Sequence, residues 1–259
     1  MLQRKSPRAA TTVRAQGRFS RLVGGPLVVS AALCWLPPAG HAEEWAADMP
    51  FTYPNASDLW QRHVAILAAV KKMPDARIIF IGDSITHFWE SKGKAVWDKH
   101  YASRKALNLG VSGDRTNGCM WRLDNGELAG LKPKLAVILI GTNNTWGDEM
   151  PVDASARGVK IIVELVRKKL PDTTILLMGI FPREDPNTNG KYKLLNQAVS
   201  EIKFDSKVHY MDIGKQFLDD SGKIARGFEG DKLHLSAEGY QIWATAIEAG
   251  VARVLGEKK

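Results

Sequence analysis

Short apolar runs with little or no polar alternation recur along the chain, at Ile78-Ile79-Phe80-Ile81, Ala106-Leu107-Asn108-Leu109, Leu135 to Ile140, Thr174 to Met178 and Val208 to Met211. The unbroken runs at Ile78–Ile81 and Leu135–Ile140 predict strands buried on both faces, as in a parallel sheet, and the others read as further strands. Helical patterns lie between them. Ser57-Asp58 cap a stretch with apolar residues at Trp60, Val64, Leu67 and Ala68, ending at Lys71-Lys72 before Pro74. A helix starts near Thr116, and another carries Val159, Ile162, Val163, Val166 and Leu170 at 3.6-residue spacing, closed by basic residues and Pro171. A further helix is expected around Leu194 to Ile202, with Phe181 to Lys191 a loop. The last opens at Ser236 and aligns Tyr240, Trp243, Ala244, Ile247, Val251 and Val254 on one face.

Strands alternating with helices imply right-handed βαβ units and a sheet covered on both sides. The expected architecture is a three-layer α/β/α sandwich, flavodoxin-like, with about five parallel strands in the order 2-1-3-4-5. No repeat, low-complexity tract or second domain is visible.

Composition changes the picture at one end only. The formal charge of +8 comes from 36 basic and 28 acidic residues. Residues 1–42 contribute six of the basic ones (Arg4, Lys5, Arg8, Arg14, Arg18, Arg21) and no acid, so the remainder is nearly neutral. Nucleic-acid binding therefore has no electrostatic basis. The basic stretch precedes an apolar run from Leu22 to Leu36 and then Gly40-His41-Ala42, small at the two positions a signal peptidase reads. Residues 1–42 are expected to be a signal peptide, making the protein periplasmic or secreted and touching membrane only through this leader, whether cleaved or kept as an anchor. Residues 43–76 hold an irregular lead-in and the first helix. Asn55-Ala56-Ser57 matches a glycosylation sequon. Once the leader is removed, Cys119 is the sole cysteine, so stability rests on the core, and Cys119 is expected to pack as a small hydrophobe.

Candidate chemistry follows the strands. The first run stops at Gly82-Asp83-Ser84, the second at Gly110-Val111-Ser112-Gly113-Asp114 and the third at Gly141-Thr142-Asn143-Asn144. In the 2-1-3 order these loops are neighbours at the carboxyl edge, where open α/β sheets bind ligands. A fourth cluster, Asp231-Lys232-Leu233-His234, precedes the last helix. Ester hydrolysis needs a nucleophile, a base, a group orienting the base, and donors for the oxyanion. Ser84 suits the first role, His234 the second and Asp231 the third. The Ser84 and Gly113 main-chain amides and the Asn143 side chain suit the fourth. Read alone, Ser84 is as well explained as a helix cap.

These four blocks, with Trp121-Arg122-Leu123, Asn125-Gly126-Glu127-Leu128 and His234-Leu235, resemble the SGNH/GDSL hydrolase superfamily. Within it they are similar to the catalytic subunits of the intracellular platelet-activating-factor acetylhydrolase. The resemblance runs from about Ile78 to Leu255 and marks residues 77–259 as the hydrolase domain. It implies a serine esterase without metal or organic cofactor, in which Ser84, Gly113, Asn143 and His234 hold the roles above. The exported leader sets this chain apart from that subgroup.

Other residues have plainer readings. Asp83 is expected to bond the loop backbone, and His63, His87, His100 and His209 show no metal-site spacing. Asp114 and Arg115 are candidates either for substrate contact or for an internal salt bridge. Trp146 is a candidate wall of the acyl or alcohol pocket; Trp89 and Trp121 are expected in the core. The function expected is removal of short acyl groups, acetyl above all, from a carbohydrate or lipid alcohol. Long-chain lysophospholipase or thioesterase activity and a non-catalytic glycan-binding role are the alternatives, and a homodimer is compatible with the resemblance.

Overall fold

The computed structural model describes residues 57–145 and 150–257. The expected leader, the rest of the lead-in to residue 56 and Trp146 lie outside the described residues. Among the described residues, five strands, β1 (Ile78–Gly82), β2 (Ala106–Gly110), β3 (Leu135–Leu139), β4 (Thr174–Met178) and β5 (Val208–Met211), form one sheet in the order β2-β1-β3-β4-β5, every pair parallel. Every residue of β1, β2 and β3 is buried, as the unbroken apolar runs require. Gly82 at the end of β1 sits in register with Gly110 of β2 and Leu139 of β3, so the three following loops leave one edge together.

Among the described residues, seven α-helices accompany the sheet: α1 (Asp58–Lys72), α2 (Ser84–His87), α3 (Lys94–His100), α4 (Thr116–Arg122), α5 (Val152–Lys169), α6 (Pro186–Ser200) and α7 (Ala237–Leu255). α5 packs between α4 and α6, and α3 packs on α7, giving the three layers. Under α3 and α7, the Phe80 ring meets Trp97 and Tyr101 at centroid distances of 5.1 and 4.8 Å. Trp89 and Trp243 are wholly buried in the same cluster. Among the described residues no helix is long and apolar enough to cross a membrane.

Three local expectations change. α6 begins at Pro186, inside the stretch read as loop. Asp185 caps it by accepting from the Thr188 amide at 2.7 Å, and Pro186 fits the first helical turn, where no N–H is needed. The buried stripe of α1 is His63, Ile66 and Val70, with Val64 about half exposed. The helix turns a histidine inward because Glu127 waits there, 2.8 Å from its Nδ1. Trp121 is half-buried against α1, its ring 5.9 Å from Trp60 and 5.1 Å from His63.

Candidate active site

β1 ends where glycine is needed for space. A Cβ on Gly82 would stand 2.2 Å from the Leu139 carbonyl oxygen, and one on Gly110 would stand 2.3 Å from the His87 amide nitrogen. The short α2 can therefore lie directly on the ends of β1 and β2. Asp83, not Ser84, is its cap, with Oδ1 accepting from the Ile85 amide at 3.0 Å. Burial pushes the Asp83 carboxyl up to about 7, against the pull of that amide. The hydroxyl of Tyr240 on α7 donates to the Ile85 carbonyl at 2.7 Å and holds the turn from the other layer.

Ser84 and His234 are 150 residues apart, yet Ser84 Oγ lies 3.0 Å from His234 Nε2, and His234 Nδ1 lies 2.6 Å from Asp231 Oδ2. Asp231 Oδ1 accepts from the Leu233 and His234 amides at 2.9 and 3.0 Å, so one carboxylate folds the turn and aims the ring. Partial burial raises the Asp231 carboxyl, but the His234 ring and these two amides outweigh it and hold it at about 2. An ionised carboxylate only accepts, so the proton of a neutral imidazole sits on Nδ1 and the Nε2 lone pair faces Ser84.

Between them, Lys232 takes a left-handed conformation (φ 53°), which a non-glycine residue adopts only when its surroundings impose it. Its amide donates to the Glu229 carbonyl, and its carbonyl accepts from Arg183 Nη1 at 3.2 Å. The Phe88 ring packs 4.9 Å from the imidazole.

The second and third loops are joined. Gly113 is exposed at φ +78°, with open space where a Cβ would stand. Asn143 Nδ2 donates to the Asp114 carbonyl at 2.8 Å. Asn144 serves the start of α4, accepting from the Thr116 amide at 3.0 Å and donating to its hydroxyl at 2.6 Å.

Asp114 is buried. Its carboxylate is buried against Arg122, Oδ2 accepting from Nε at 2.7 Å, and it makes the internal salt bridge that was the other reading. Arg115 is half-buried and its amide donates to Asp114 Oδ1 at 3.1 Å. Arg122, wholly buried, also donates to Glu127 Oε2 (2.5 Å) and to the carbonyls of Leu109 (2.7 Å) and Gly82 (3.1 Å). A continuous buried relay of His63, Glu127, Arg122 and Asp114 thus runs from α1 to the loop bearing Gly113. Cys119 is buried beside it, and burial pushes its thiol far up.

Sequence reading missed three of these parts. Arg122 was a resembling segment without a role, although a lone arginine among Gly118, Cys119 and Met120, flanked by Asp114 and Glu127, is the signature of an internal ion pair. Phe88 lies four residues after Ser84, one helical turn on. Arg183 carried no signal. Of the remaining histidines, His87 Nδ1 lies 2.9 Å from the Ser112 hydroxyl, and burial together with the Arg62 charge lowers its pKa. Among the described residues no group of three or more His, Cys, Asp or Glu side chains is arranged to hold a metal.

The chain is similar to known proteins in sequence and in fold. The model of the GDSL-like lipase/acylhydrolase family matches residues 80–242. The chain is 31% identical over 192 residues to platelet-activating factor acetylhydrolase IB subunit alpha1 of Homo sapiens, covering 73% of this chain and 81% of the relative. Its fold is similar to that of a GDSL-like lipase from Bacteroides thetaiotaomicron (TM-score 0.61, 21% identity, 74% of this chain and 97% of that one). It is also similar to that of a catalytic mutant of an acetylxylan esterase from Geobacillus stearothermophilus (TM-score 0.54, 18% identity, 71% and 95%). A family match over more than half the chain, with a curated relative aligned along most of its own length, settles the assignment: the chain belongs to the GDSL-like lipase/acylhydrolase family and is an ester hydrolase.

Proposed function

We propose that this protein is an exported serine esterase that removes short acyl groups, acetyl foremost, from a carbohydrate or lipid alcohol. The observation that carries the reading is the line of contacts from Asp231 through His234 to Ser84 at the carboxyl edge of the sheet. In this mechanism Nε2 of neutral His234 takes the Ser84 proton as Oγ attacks the ester carbonyl carbon. The oxygen of that carbonyl becomes an anion, facing the amides of Ser84 and Gly113 and the Nδ2 of Asn143. The imidazolium, stabilised by Asp231, gives its proton to the leaving alcohol as the C–O bond breaks. Water then enters, is deprotonated by His234, and releases the acid and free Ser84.

Support for a short acyl group comes from the acetylhydrolase relative. Support for export comes from the basic and apolar leader at residues 1–42. Support for a carbohydrate alcohol comes from the acetylxylan esterase whose fold is similar. Ser84→Ala assayed on p-nitrophenyl acetate is the test: hydrolysis is expected to fall to background, and undiminished turnover sinks the mechanism. Across p-nitrophenyl esters of increasing chain length kcat/KM is expected to fall; a flat or rising profile replaces the acetyl reading with the long-chain one.

A further inference from the structure

The carboxyl edge of the sheet holds more than the Ser84 cluster. Beyond the ends of β4 and β5, against the first turns of α6, lies a cavity of about 500 Å3. Ile180 and Tyr192 form its apolar part, and Lys193, Asn196, Asp212 and Lys215 its polar part. Its walls are tied to the candidate site at two points. The Tyr192 hydroxyl donates to the carbonyl of Thr142, the neighbour of Asn143, at 2.9 Å. Three residues past Ile180, Arg183 holds the Lys232 carbonyl in the loop of Asp231 and His234.

The polar groups divide by how they are engaged. Asp212 accepts from the Gly214 amide at 2.7 Å and from Asn196 Nδ2 at 3.3 Å, so its negative charge is partly satisfied within the wall. Lys193 and Lys215 are exposed and, among the described residues, make no ion pair. The cavity therefore offers two uncommitted cations beside an amide, a carboxylate and an apolar surface. A fatty chain would desolvate those polar groups without replacing their hydrogen bonds, which is unfavourable. A sugar ring satisfies both kinds of surface, and a ring bearing a carboxylate also satisfies the lysines.

Reach sets the size of the ligand. β4 is two strand spacings from β1, and β5 three, so the cavity stands about 10–14 Å from the edge position of Ser84 along the sheet. One sugar cannot touch both; a short oligosaccharide can. We propose that the cavity is a subsite for an acidic carbohydrate, a uronate whose carboxylate meets Lys193 and Lys215 and whose hydroxyls meet Asp212, which Asn196, itself held by the Ile180 amide and carbonyl, keeps in place, while an esterified ring of the same chain is presented to Ser84. The proposal rests on the serine-esterase reading and names its substrate class.

The test uses the full chain and the variant K193Q/K215Q, both changes being on exposed side chains. Binding of unacetylated tetragalacturonate is measured by calorimetry. Turnover is measured on acetylated tetragalacturonate, on acetylated xylotetraose as the neutral counterpart, and on p-nitrophenyl acetate. The wild type is expected to bind tetragalacturonate and to prefer the acidic ester by about tenfold in kcat/KM through KM, as two charge contacts provide. The double variant loses that preference and leaves xylotetraose and p-nitrophenyl acetate turnover unchanged. Absent binding, equal kcat/KM on the acidic and neutral esters, or a double variant that retains the preference overturns the subsite, with the esterase reading intact if p-nitrophenyl acetate is still cleaved. Lysine-dependent binding without Ser84-dependent ester cleavage keeps the subsite and overturns the esterase reading.

Discussion

Asn143 and Asp114 come from loops following different strands, and the side-chain amide of the first donates to the main-chain carbonyl of the second at 2.8 Å. That bond uses one of the two Nδ2 hydrogens and fixes the direction of the other. In the proposed mechanism the second hydrogen meets the oxyanion. Asn143→Ala is expected to lower kcat on p-nitrophenyl acetate by about 10²–10³-fold, with a smaller change in KM. Steady-state kinetics decide it, and a kcat within a few-fold of wild type removes Asn143 from the oxyanion hole.

Asp231 fixes which imidazole nitrogen carries the proton. An amide at this position can present its NH2 to Nδ1 and favour the opposite tautomer, so Asp231→Asn is expected to reduce kcat by about 10⁴-fold at neutral pH. The same carboxylate links stability to acid. Its folded pKa, about 2, lies below its unfolded value, so its contribution is present above about pH 4 and is lost as the pH falls toward 2. Denaturant midpoints between pH 5 and 2 are expected to fall less in Asp231→Asn than in the wild type.

Asp83 gives the opposite slope. Burial raises its pKa to about 7, so between about pH 4 and 7 the unfolded chain has released a proton that the folded chain keeps. Stability from this group is therefore greatest at low pH and declines until about pH 7. Asp83→Asn, which keeps an oxygen for the Ile85 amide, is expected to remove that decline. Urea unfolding at pH 5, 6 and 7 checks it; parallel curves for the two proteins would refute the assignment.

Arg122 is the point at which the buried relay is most sensitive. Replacing it with methionine leaves Asp114 and Glu127 facing each other without their shared cation, and the expected loss is about 3–5 kcal/mol of folding stability. Urea unfolding of Arg122→Met should show a much lower midpoint, whereas a shift below about 1 kcal/mol is what an exposed pair would produce.

The sheet was legible because a buried parallel strand leaves a local mark: the runs at 78–81, 135–140 and 174–178 locate β1, β3 and β4 to within a residue, while 208–211 locates β5, an edge strand that is only partly buried. The candidate site was legible for a related reason, since Gly113 and Asn143 stand just past strand ends and His234 just before a capped helix. What was hidden depends on partners far along the chain. His63 faces inward because of Glu127, 64 residues later, and no periodicity of α1 announces that. The start of α6 was hidden by composition, because Asn187, Asn189 and Gly190 suit loops while the Asp185 cap and Pro186 override them. The charged core around Arg122 left a local trace in Asp114 and Glu127 on either side of it, but its link to His63 appears only when the fold assembles it.

A guanidinium that grips carbonyls near the ends of two neighbouring strands leaves the segments above them little room to relax. In bulk water, solvent dipoles must swing round each time charge gathers on an oxygen, and that reorganisation is a large share of the barrier to acyl transfer. In the proposed mechanism the equivalent alignment is completed once, while the polypeptide folds, so the substrate meets a polar environment already set for the charge it is about to develop.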